Sequence, residues 1–311
     1  MMIEVNNLTR YYGDFAALNN VSFQVAEGEI IGLLGLNGAG KSTTLKILAG
    51  LIPPSSGSVR IDGIDMVAEP DKMFARIGYL PEDPPLYVDM TVADFIRYMG
   101  RLKGMPAGLV EQRLPSVIQT AHLGGRENQV IDTLSHGYRK RVGNAATIIH
   151  EPRMVVLDEP ISGLDPVQIV EMRSVIRALA KGRAVFVSSH ILSEIEQTCD
   201  RIFVIRDGKL VAQGTEAELT GTARVASLRV TVRDGAGTFR RWIETFPGVR
   251  AVADAHSFAG EISVVLTLGS DVREELASAI VAHGYGLRGL APAQDALEEV
   301  FLGIARGGGV A

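Results

Sequence analysis

Residues 30–42 read IIGLLGLNGAGKS, and this stretch decides the fold. An apolar run of strand length leads into a glycine-rich loop, and the loop leads into TTLKILAGL, which has the pattern of a helix. The loop at 35–42 matches GxxxxGK[ST] in the strand–loop–helix context that gives this pattern its meaning. Its glycines let backbone N–H groups converge on phosphate oxygens beside the positive end of a helix dipole. The stretch predicts a phosphate-binding loop, in preference to an ordinary glycine turn.

The side chains of this loop have separate expected roles. Lys41 is expected to reach the β- and γ-phosphates of a nucleotide, which also makes it a catalytic candidate, and the Ser42 hydroxyl is expected to bind Mg²⁺. The candidate nucleotide-binding residues of the loop and the first helical turn are Gly35, Asn37, Gly38, Ala39, Gly40, Lys41, Ser42 and Thr43.

A second motif, MVVLDE, occupies residues 154–159. An aspartate at the end of a buried apolar strand is costly unless it meets a cation, so Asp158 is expected to bind Mg²⁺ through water. Glu159 follows it and is placed to accept a proton from an attacking water. A strand that ends in Asp-Glu is weak evidence alone, but together with the loop at 35–42 it predicts a site that hydrolyses a nucleotide.

Strand-length apolar runs alternate with helical patterns through the first 220 residues. Besides the two predicted strands already described, such runs occur as VSFQV at 21–25 and as AVFVSS at 184–189. Each run is followed by a turn or a helix. This alternation is typical of the α/β class with a mainly parallel, buried sheet. Between the two halves, Thr91 and Asp94 form a capping pattern ahead of an apolar face, which predicts a helical insertion over about residues 82–150.

The composition changes near residues 215–225, after a predicted hairpin that turns at Asp207 and Gly208. The sequence therefore predicts a nucleotide-binding domain over residues 1–220, with an antiparallel β part beside its parallel sheet. Residues 225–305 follow the order βαββαβ and end in a last helix, DALEEVFLGIA, which predicts a small ferredoxin-like α+β domain. Residues 306–311 are expected to form a flexible tail.

Composition limits the classes of function. A net charge of -5 does not favour nucleic acid as a partner. Cys199 is the single cysteine, which excludes an internal disulfide framework and a zinc or iron–sulfur site built on paired cysteines. The N-terminus lacks a secretory signal pattern, and no apolar run approaches the ~20 residues of a membrane span. We therefore expect a cytoplasmic protein whose contact with a membrane is peripheral.

With these motifs in order, the chain resembles the ATP-binding subunit of an ABC transporter over about residues 2–220. In that family the segment LSHGYRKRV, residues 134–142, occupies the signature motif, and two heads pack head to tail. The signature of one head closes over the γ-phosphate held by the other, so Ser135 and Gly137 are expected to act in trans, with Asp165 of SGLD at the dimer seam. The resemblance implies ATP and Mg²⁺ as cofactors, and a second head that is expected to be an identical copy.

Other family positions carry over residue by residue. Tyr12 in RYYG matches the aromatic residue that stacks on adenine, with Tyr11 as the neighbouring alternative. His190 matches the switch histidine that contacts the γ-phosphate and the attacking water. Glu82 follows GYLP where the family usually holds a glutamine, and its carboxylate is a candidate Mg²⁺ ligand.

Two further departures from the family pattern narrow the subgroup. In the signature, His136 replaces the first glycine and Tyr138 replaces the glutamine. These changes and the C-terminal extension resemble the ATPases that drive ABC-2 type exporters, including drug-resistance and gliding-motility types. The leading expectation is a peripheral ATPase on the inner face of the cell membrane that energises export by a separate multi-span permease. An ABC ATPase that acts on a soluble assembly is the alternative, and a purely regulatory module is disfavoured because Glu159 is present.

Two expectations concern the surface. Arg139, Lys140 and Arg141 form a basic run that suggests nucleic acid, but the acidic total favours a solvated helix face instead. Residues 84–87, PPLY, are expected to line a groove for a short cytoplasmic helix of the membrane partner, with simple loop packing as an equal alternative.

Overall fold

The computed structural model describes residues 2–189, 191–221, 227–234, 238–258, 260–269 and 272–292. The chain divides into two compact units, Met1–Thr215 and Glu216–Ala311. The elements of the first unit, in chain order, are β1 (Met2–Tyr12), β2 (Phe15–Ala26), β3 (Ile30–Leu34), α1 (Lys41–Leu48), β4 (Ser56–Ile61), β5 (Ile64–Asp65), α2 (Pro70–Phe74), β6 (Ile77–Leu80), α3 (Val92–Leu102), α4 (Ala107–Thr120), α5 (His136–Ile148), β7 (Met154–Leu157), α6 (Pro166–Leu179), β8 (Ala184–Ser188), α7 (Leu192–Thr198), β9 (Arg201–Arg206) and β10 (Lys209–Gly214).

One sheet of the first unit is antiparallel, with the strand order β2-β1-β4-β5. Along β2 buried side chains alternate with exposed ones, and Val21, Phe23 and Val25 face the core. Such alternation is typical of a sheet with one face in solvent. VSFQV therefore belongs to this sheet. Its assignment to the parallel sheet was wrong, because the period of two in its apolar residues already marks a half-exposed strand.

The central sheet has the strand order β10-β9-β3-β8-β7-β6 and is parallel except for the hairpin of β9 and β10. Every residue of β3, β7 and β8 is buried, which is the pattern of strands covered on both faces. Neighbouring parallel strands end at the same edge of the sheet. The glycine-rich loop follows β3 there, Asp158 follows β7, and Ser189 follows β8. The α/β prediction is confirmed, and this edge carries the candidate site.

The segment between β6 and β7 is mainly helical. Thr91 caps the N-terminus of α3: its Oγ1 accepts a hydrogen bond from the Asp94 N–H at 3.2 Å and donates to the Asp94 carboxylate at 2.7 Å. α5 is buried from Lys140 to Ile148, so the helix that begins within the signature segment is a core element of this unit. None of the helices in the described part of the chain is long and apolar enough to cross a membrane.

The second unit contains an antiparallel sheet with the strand order β12-β13-β11-β14. Alternate strand residues such as Val230 and Leu266 pack against Phe239 and Leu276 of its helices. The predicted order βαββαβ is confirmed, whereas the predicted last helix at 295–305 and the tail lie outside the described residues. The elements are α8 (Glu216–Gly221), β11 (Ser227–Arg233), α9 (Phe239–Ile243), β12 (Val249–Phe258), β13 (Glu261–Leu268), α10 (Arg273–Ala282) and β14 (Gly286–Pro292).

Candidate nucleotide-binding and hydrolysis site

The glycine-rich loop between β3 and α1 has a backbone that glycine permits. Gly38 and Gly40 have φ angles of 81° and 113°, in the region that residues with a Cβ rarely adopt. A Cβ on Gly40 would also lie 2.8 Å from the carbonyl oxygen of Ala17. α1 begins at the next residue, Lys41, and the N–H groups of its first turn have no partners within the helix. The loop therefore has the geometry of a phosphate cradle at a helix N-terminus.

Gly35→Ala is expected to lower the free energy of unfolding by about 1–3 kcal/mol, as overpacked substitutions do. A Cβ on Gly35 would overlap the carbonyl oxygen of Ile205, a main-chain atom of β9 that cannot rotate away. Urea unfolding of the full chain without nucleotide measures the change. Gly108→Ala in α4 is the matched control, because nothing lies within 4 Å of its Cβ position. Equal unfolding midpoints for the two variants would contradict the packing described here.

Lys41 is buried inside the loop, with 8% of its surface exposed. Its Nζ donates to the carbonyl oxygens of Gly35 at 2.6 Å and Leu36 at 3.2 Å. Burial lowers the pKa of Lys41, and the carboxylates of Glu159 and Asp158 oppose this effect by favouring the charged ammonium. The fold thus brings Lys41 within electrostatic range of both candidate acidic residues.

Ser188, at the end of β8, bridges the two acidic residues. Its Oγ donates to Asp158 Oδ1 at 2.6 Å and accepts a hydrogen bond from the Glu159 N–H at 2.9 Å. Ser188 is 2% exposed, so both bonds are sheltered from water. No role was predicted for Ser188, although a serine that ends an otherwise apolar strand beside MVVL was a usable signal. Its effect is to fix the Asp-Glu pair against the sheet.

A cavity of about 230 Å³ lies against the glycine-rich loop. Tyr12 and the exposed Phe15 form its aromatic wall, whereas Tyr11 is not among its lining residues and donates its N–H to Ser55 Oγ at 3.0 Å. The geometry therefore favours Tyr12 over Tyr11 as the base-stacking residue and adds Phe15, which the sequence motifs had not singled out. The lining residues are Tyr12, Phe15, Ala17, Leu36, Asn37, Gly38, Gly40, Lys41, Ser42 and Thr43.

The candidate Mg²⁺ ligands form a sparse set. Across the described ranges, no group of three or more His, Cys, Asp or Glu residues could hold a metal ion. Ser42 lines the cavity, and Glu82 is exposed just after β6. Asp158 accepts the hydrogen bond of Ser188 with Oδ1, so Oδ2 is the oxygen that could face an ion. Magnesium sites in nucleotide-binding proteins use one or two carboxylates together with the nucleotide phosphates. These residues fit an ion that arrives with a nucleotide.

The signature segment lies at the start of α5. Ser135 is exposed at the N-cap position, and its side chain makes no capping hydrogen bond. Gly137 is buried against α6, where a Cβ would lie 2.6 Å from Gln168 Oε1. A side chain at Gly137 would therefore push Gln168 away. The exposed hydroxyl of Ser135 is available to a group outside this head.

The SGLD segment contacts the signature within the same head. A Cβ on Gly163 would lie 3.5 Å from His136 Nε2. Asp165 accepts hydrogen bonds from the N–H groups of Val167 and Gln168 at 3.0 and 2.9 Å and so caps α6. Asp165 is exposed and has a structural task in this head, besides the predicted role at a dimer seam.

Two of the three residues in the basic run after the signature are buried, so the expectation of a solvated helix face was wrong for Lys140 and Arg141. Lys140 is 2% exposed and Arg141 is 3% exposed. The Lys140 Nζ donates to the carbonyl oxygens of Glu159 at 2.9 Å and Ser162 at 2.8 Å, and Arg141 forms an ion pair with Glu171 of α6. These partners come from segments distant in sequence, so the charge pattern of the helix alone could not reveal them.

His190 lies outside the described residues, and its predicted contact with the γ-phosphate stays a prediction. The preceding residue, Ser189, is 2% exposed. Its Oγ donates to Glu194 at 2.8 Å and accepts from the Ile191 N–H at 3.0 Å. These bonds hold the chain on either side of position 190.

A second, largely apolar cavity of about 420 Å³ lies between β6, α3 and α5, and we call it the β6–α3 groove. Pro84, Pro85 and Leu86 line it, whereas Tyr87 packs edge-on against Tyr98 with ring centroids 5.4 Å apart. Three residues of the predicted segment therefore line a groove, and the fourth packs on α3. Further apolar lining residues include Leu51, Phe74, Leu80 and Met99.

Mild acid is expected to destabilise the fold through His150, which lines this groove. The His150 Nε2 lies 3.0 Å from the Ile77 carbonyl oxygen, and the buried Nδ1 has no hydrogen-bond partner within the described ranges. Burial, aided by the charge of Lys103, lowers the pKa of His150 to about 4. Below about pH 6.5 this histidine becomes protonated in the unfolded chain, whereas in the folded chain it stays neutral down to about pH 4. Stability is therefore lost as the pH falls through this window, by at most about 1.4 kcal/mol per pH unit.

Melting curves of the full chain between pH 7 and 5 measure this effect. His150→Gln is expected to show a weaker fall of Tm with falling pH than the unchanged protein. His283→Gln, at an exposed histidine of the second unit, is the control for a general loss of histidine. Parallel curves for His150→Gln and the unchanged protein would show that His150 is not the group responsible.

A buried parallel sheet with a glycine-rich loop, an adjacent helix N-terminus and an Asp-Glu pair at one edge defines the class of P-loop nucleoside triphosphatases. The ABC transporter family model matches residues 18–162. The bacitracin transport ATP-binding protein BcrA of Enterococcus faecalis is 37% identical over 220 residues, which cover 70% of this chain and 70% of that protein. The chain belongs to the family of ABC transporter ATP-binding proteins.

Two further similarities extend this comparison. The linearmycin resistance ATP-binding protein LnrL of Bacillus subtilis is 29% identical over 306 residues, which cover 97% of this chain and 98% of that protein. A solved structure of an ATP-binding subunit of an ABC transporter matches with a TM-score of 0.64 at 32% identity, over 72% of this chain and 93% of that chain. The predicted family is confirmed: the chain is an ATP-binding, ATP-hydrolysing subunit of an ABC transporter.

Proposed function

We propose that this subunit energises export by a separate membrane permease of the ABC-2 type. The observation that carries the proposal is the similarity to LnrL, a resistance protein, which extends through both units of the chain. BcrA, a bacitracin transport protein, supports the same subgroup through the first unit. Proteins of this family pair with a membrane permease and act as dimers. The exported compound is accordingly expected to be a drug or a peptide.

In this proposal the nucleotide occupies the 230 Å³ cavity. Tyr12 stacks on the adenine, Phe15 completes the aromatic wall, and the loop N–H groups bind the phosphates together with Lys41. Ser42 and Asp158 would hold Mg²⁺, with Glu82 as a further candidate ligand. A bound Mg²⁺ would neutralise phosphate charge, as it does in other P-loop enzymes. The glycine-rich loop and Asp158 follow strands of the central sheet at their carboxyl edge, whereas Tyr12 ends β1 and Phe15 begins β2 of the antiparallel sheet.

Hydrolysis then requires a base for the attacking water. Glu159 is the candidate, because its main chain is fixed by Ser188 and its carboxylate lies in electrostatic range of Lys41. His190 is proposed as the group that contacts the γ-phosphate and the attacking water. Ser189, the residue before His190, is itself anchored by its hydrogen bond to Glu194.

The site is proposed to be completed by a second, identical head. The exposed Ser135 hydroxyl, at the start of a 13-residue helix, suits a phosphate oxygen presented from outside. The γ-phosphate would then bridge the two heads, and hydrolysis would release them. This difference between the ATP and ADP states is the source of the work done on the permease.

The β6–α3 groove is the proposed docking site for a short cytoplasmic helix of the permease, at the inner face of the cell membrane. Its lining is apolar, and Leu51 and Phe74 at its border are 55% and 45% exposed. Apolar surface of this kind is typical of an interaction site. Nucleic acid is not proposed as a partner, because Lys140 and Arg141 of the basic run that suggested it are buried in hydrogen bonds and an ion pair.

The test is capture of the partner from native membranes. Tagged Glu159→Gln protein is purified from mild detergent with Mg-ATP, and co-purifying proteins are identified by mass spectrometry. A multi-span membrane protein in stoichiometric amount is the expected result. Leu51→Asp in the groove is expected to lose it, whereas Leu109→Asp, also at an exposed leucine but on α4, is expected to retain it. Recovery with a soluble assembly only would contradict the export proposal.

A further inference from the structure

We propose that Lys140 is a positioning residue for ATP hydrolysis, which holds the main chain of Glu159 so that the Glu159 carboxylate reaches the attacking water. The inference rests on the proposed role of Glu159 as the base. Lys140 belongs to the basic run that looked solvated in the sequence, yet it is among the largest fully buried side chains. A buried ammonium group needs specific partners, and the partners of Lys140 lie at the candidate site.

The backbone of Glu159 is in an unfavourable conformation. Its φ angle is 46°, in the left-handed region where a residue with a Cβ is uncommon. Pro160 follows it, and the residue before a proline is further restricted, toward extended conformations. Backbone of this kind persists when the surrounding structure holds it in place, and it clusters at active sites. The groups that hold Glu159 are therefore functional candidates.

Glu151 provides an internal comparison. It also precedes a proline and has a φ angle of 55°. Its N–H closes a turn on the carbonyl oxygen of Ile148, just after the end of α5, where left-handed residues are usual. Glu159 instead follows a β-strand, and buried side chains fix both of its peptide groups.

Those side chains are Ser188 and Lys140. The Glu159 N–H donates to Ser188 Oγ at 2.9 Å, and the Glu159 carbonyl accepts from Lys140 Nζ at 2.9 Å. The same ammonium donates to the Ser162 carbonyl at 2.8 Å and thus spans the turn from Glu159 to Ser162. The Glu159 carbonyl also accepts from the Ser162 N–H at 3.2 Å, so the turn is closed by one neutral hydrogen bond and by the ammonium. Hydrogen bonds from a charged donor are stronger than neutral ones, so removing the ammonium would leave this turn held by its weaker bond alone.

The charges around Lys140 support its assignment as the residue that holds the Glu159–Ser162 turn. Burial lowers the pKa of Lys140, while Glu82, Asp83, Glu159 and Glu194 all favour the charged form. Glu82 is the carboxylate that stands where the family usually has a glutamine. A cation at position 140 offsets this additional negative charge beside the phosphate site. The same lysine lies on α5, whose N-cap residue is Ser135. It therefore links the signature segment to Glu159, the candidate general base of the same head.

The test compares steady-state ATP hydrolysis by full-length variants. Lys140→Met keeps the length of the side chain but removes all donors, and it is expected to lower kcat by about 10- to 100-fold, the scale of a small misplacement of a reacting group. The KM for Mg-ATP is expected to stay within about twofold, because the nucleotide contacts are unchanged. Lys140→Arg retains donors for both carbonyls and is expected to recover most of the lost rate.

The control and a second variant keep the result interpretable. Arg183, the residue before β8, is another cation that donates to two main-chain carbonyls, those of Leu179 and Lys181. Arg183→Met removes these hydrogen bonds and is expected to leave kcat unchanged. If Lys140→Met does not fold, Lys140→Gln is compared with Lys140→Arg instead, and a lower kcat for the glutamine variant is expected. A kcat within about twofold of the unchanged protein, or a loss that appears in KM, would overturn the proposal.

Glu159→Gln separates this inference from the assignment on which it rests. Normal turnover by Glu159→Gln would show that Glu159 is not the general base, and Lys140 would then have no positioning role. An inactive Glu159→Gln beside a fully active Lys140→Met would leave the base in place and overturn the positioning role alone.

Discussion

Glu159→Gln is expected to lower kcat for ATP hydrolysis by about 10²- to 10⁴-fold, the usual contribution of a general base. The amide has almost the shape of the carboxylate but cannot accept a proton from the attacking water. The bonds that fix this residue use its main chain, through Ser188 and Lys140, and remain in the variant. Binding of Mg-ATP is therefore expected to persist, and single-turnover hydrolysis measured beside equilibrium nucleotide binding separates the two properties.

Glu151→Gln is the matched control for this substitution. It makes the same change of functional group in a glutamate that also has a positive φ angle and precedes a proline. Its carboxylate pairs with Arg113 at 2.6 Å on the surface, so turnover is expected to be unchanged. Similar rates for the two variants would show that Glu159 is not the base.

Lys41→Ala is expected to weaken ATP binding by about 30-fold or more, which corresponds to the ~2 kcal/mol lower limit for truncating one partner of a buried, hydrogen-bonded charge pair. Burial makes the charge of Lys41 costly, and the carboxylates of Glu159 and Asp158 offset this cost only in part, because the pKa of Lys41 stays below its ordinary value. Phosphate oxygens would supply a further counter-charge and replace the loop carbonyls as acceptors. Titration with a fluorescent ATP analogue measures the dissociation constant, and kcat/KM is expected to fall with it.

Lys46→Ala tests whether any positive charge on α1 would have the same effect. Lys46 lies on the same helix but is exposed in its last turn. Its removal is expected to change ATP affinity by less than about twofold, because an exposed charge is screened by solvent and salt. An equal loss in both variants would point to a general field effect and contradict a specific phosphate contact of Lys41.

The fold was largely predictable because its decisive signals are local. The loop at 35–42 and the Asp-Glu pair at 158–159 are continuous stretches, in which the order of residue types specifies both the turn and the chemistry. The strand order of the second unit likewise follows from a complete βαββαβ pattern. Local periodicity also contained the information that VSFQV is half-exposed, but its apolar composition suggested a buried strand.

The parts that were missed depend on contacts between distant segments. Ser188 acquires its role because β8 lies next to β7, so that its hydroxyl reaches Asp158. Lys140 has a charged side chain on a helix, and only the tertiary fold shows that it is buried against the main chain of Glu159. Residue type and spacing along the chain do not encode such proximities.

The measurement that tests the two-head mechanism most directly is the mass of Glu159→Gln in solution, by light scattering, with and without Mg-ATP. Without nucleotide a particle of 33.4 kDa is expected. With Mg-ATP the mass is expected to double, and Ser135→Glu in the same background is expected to prevent this, because a carboxylate would face the γ-phosphate of the other head. Bound ATP with a mass that stays at the monomer value would contradict a site completed by the signature of a second head.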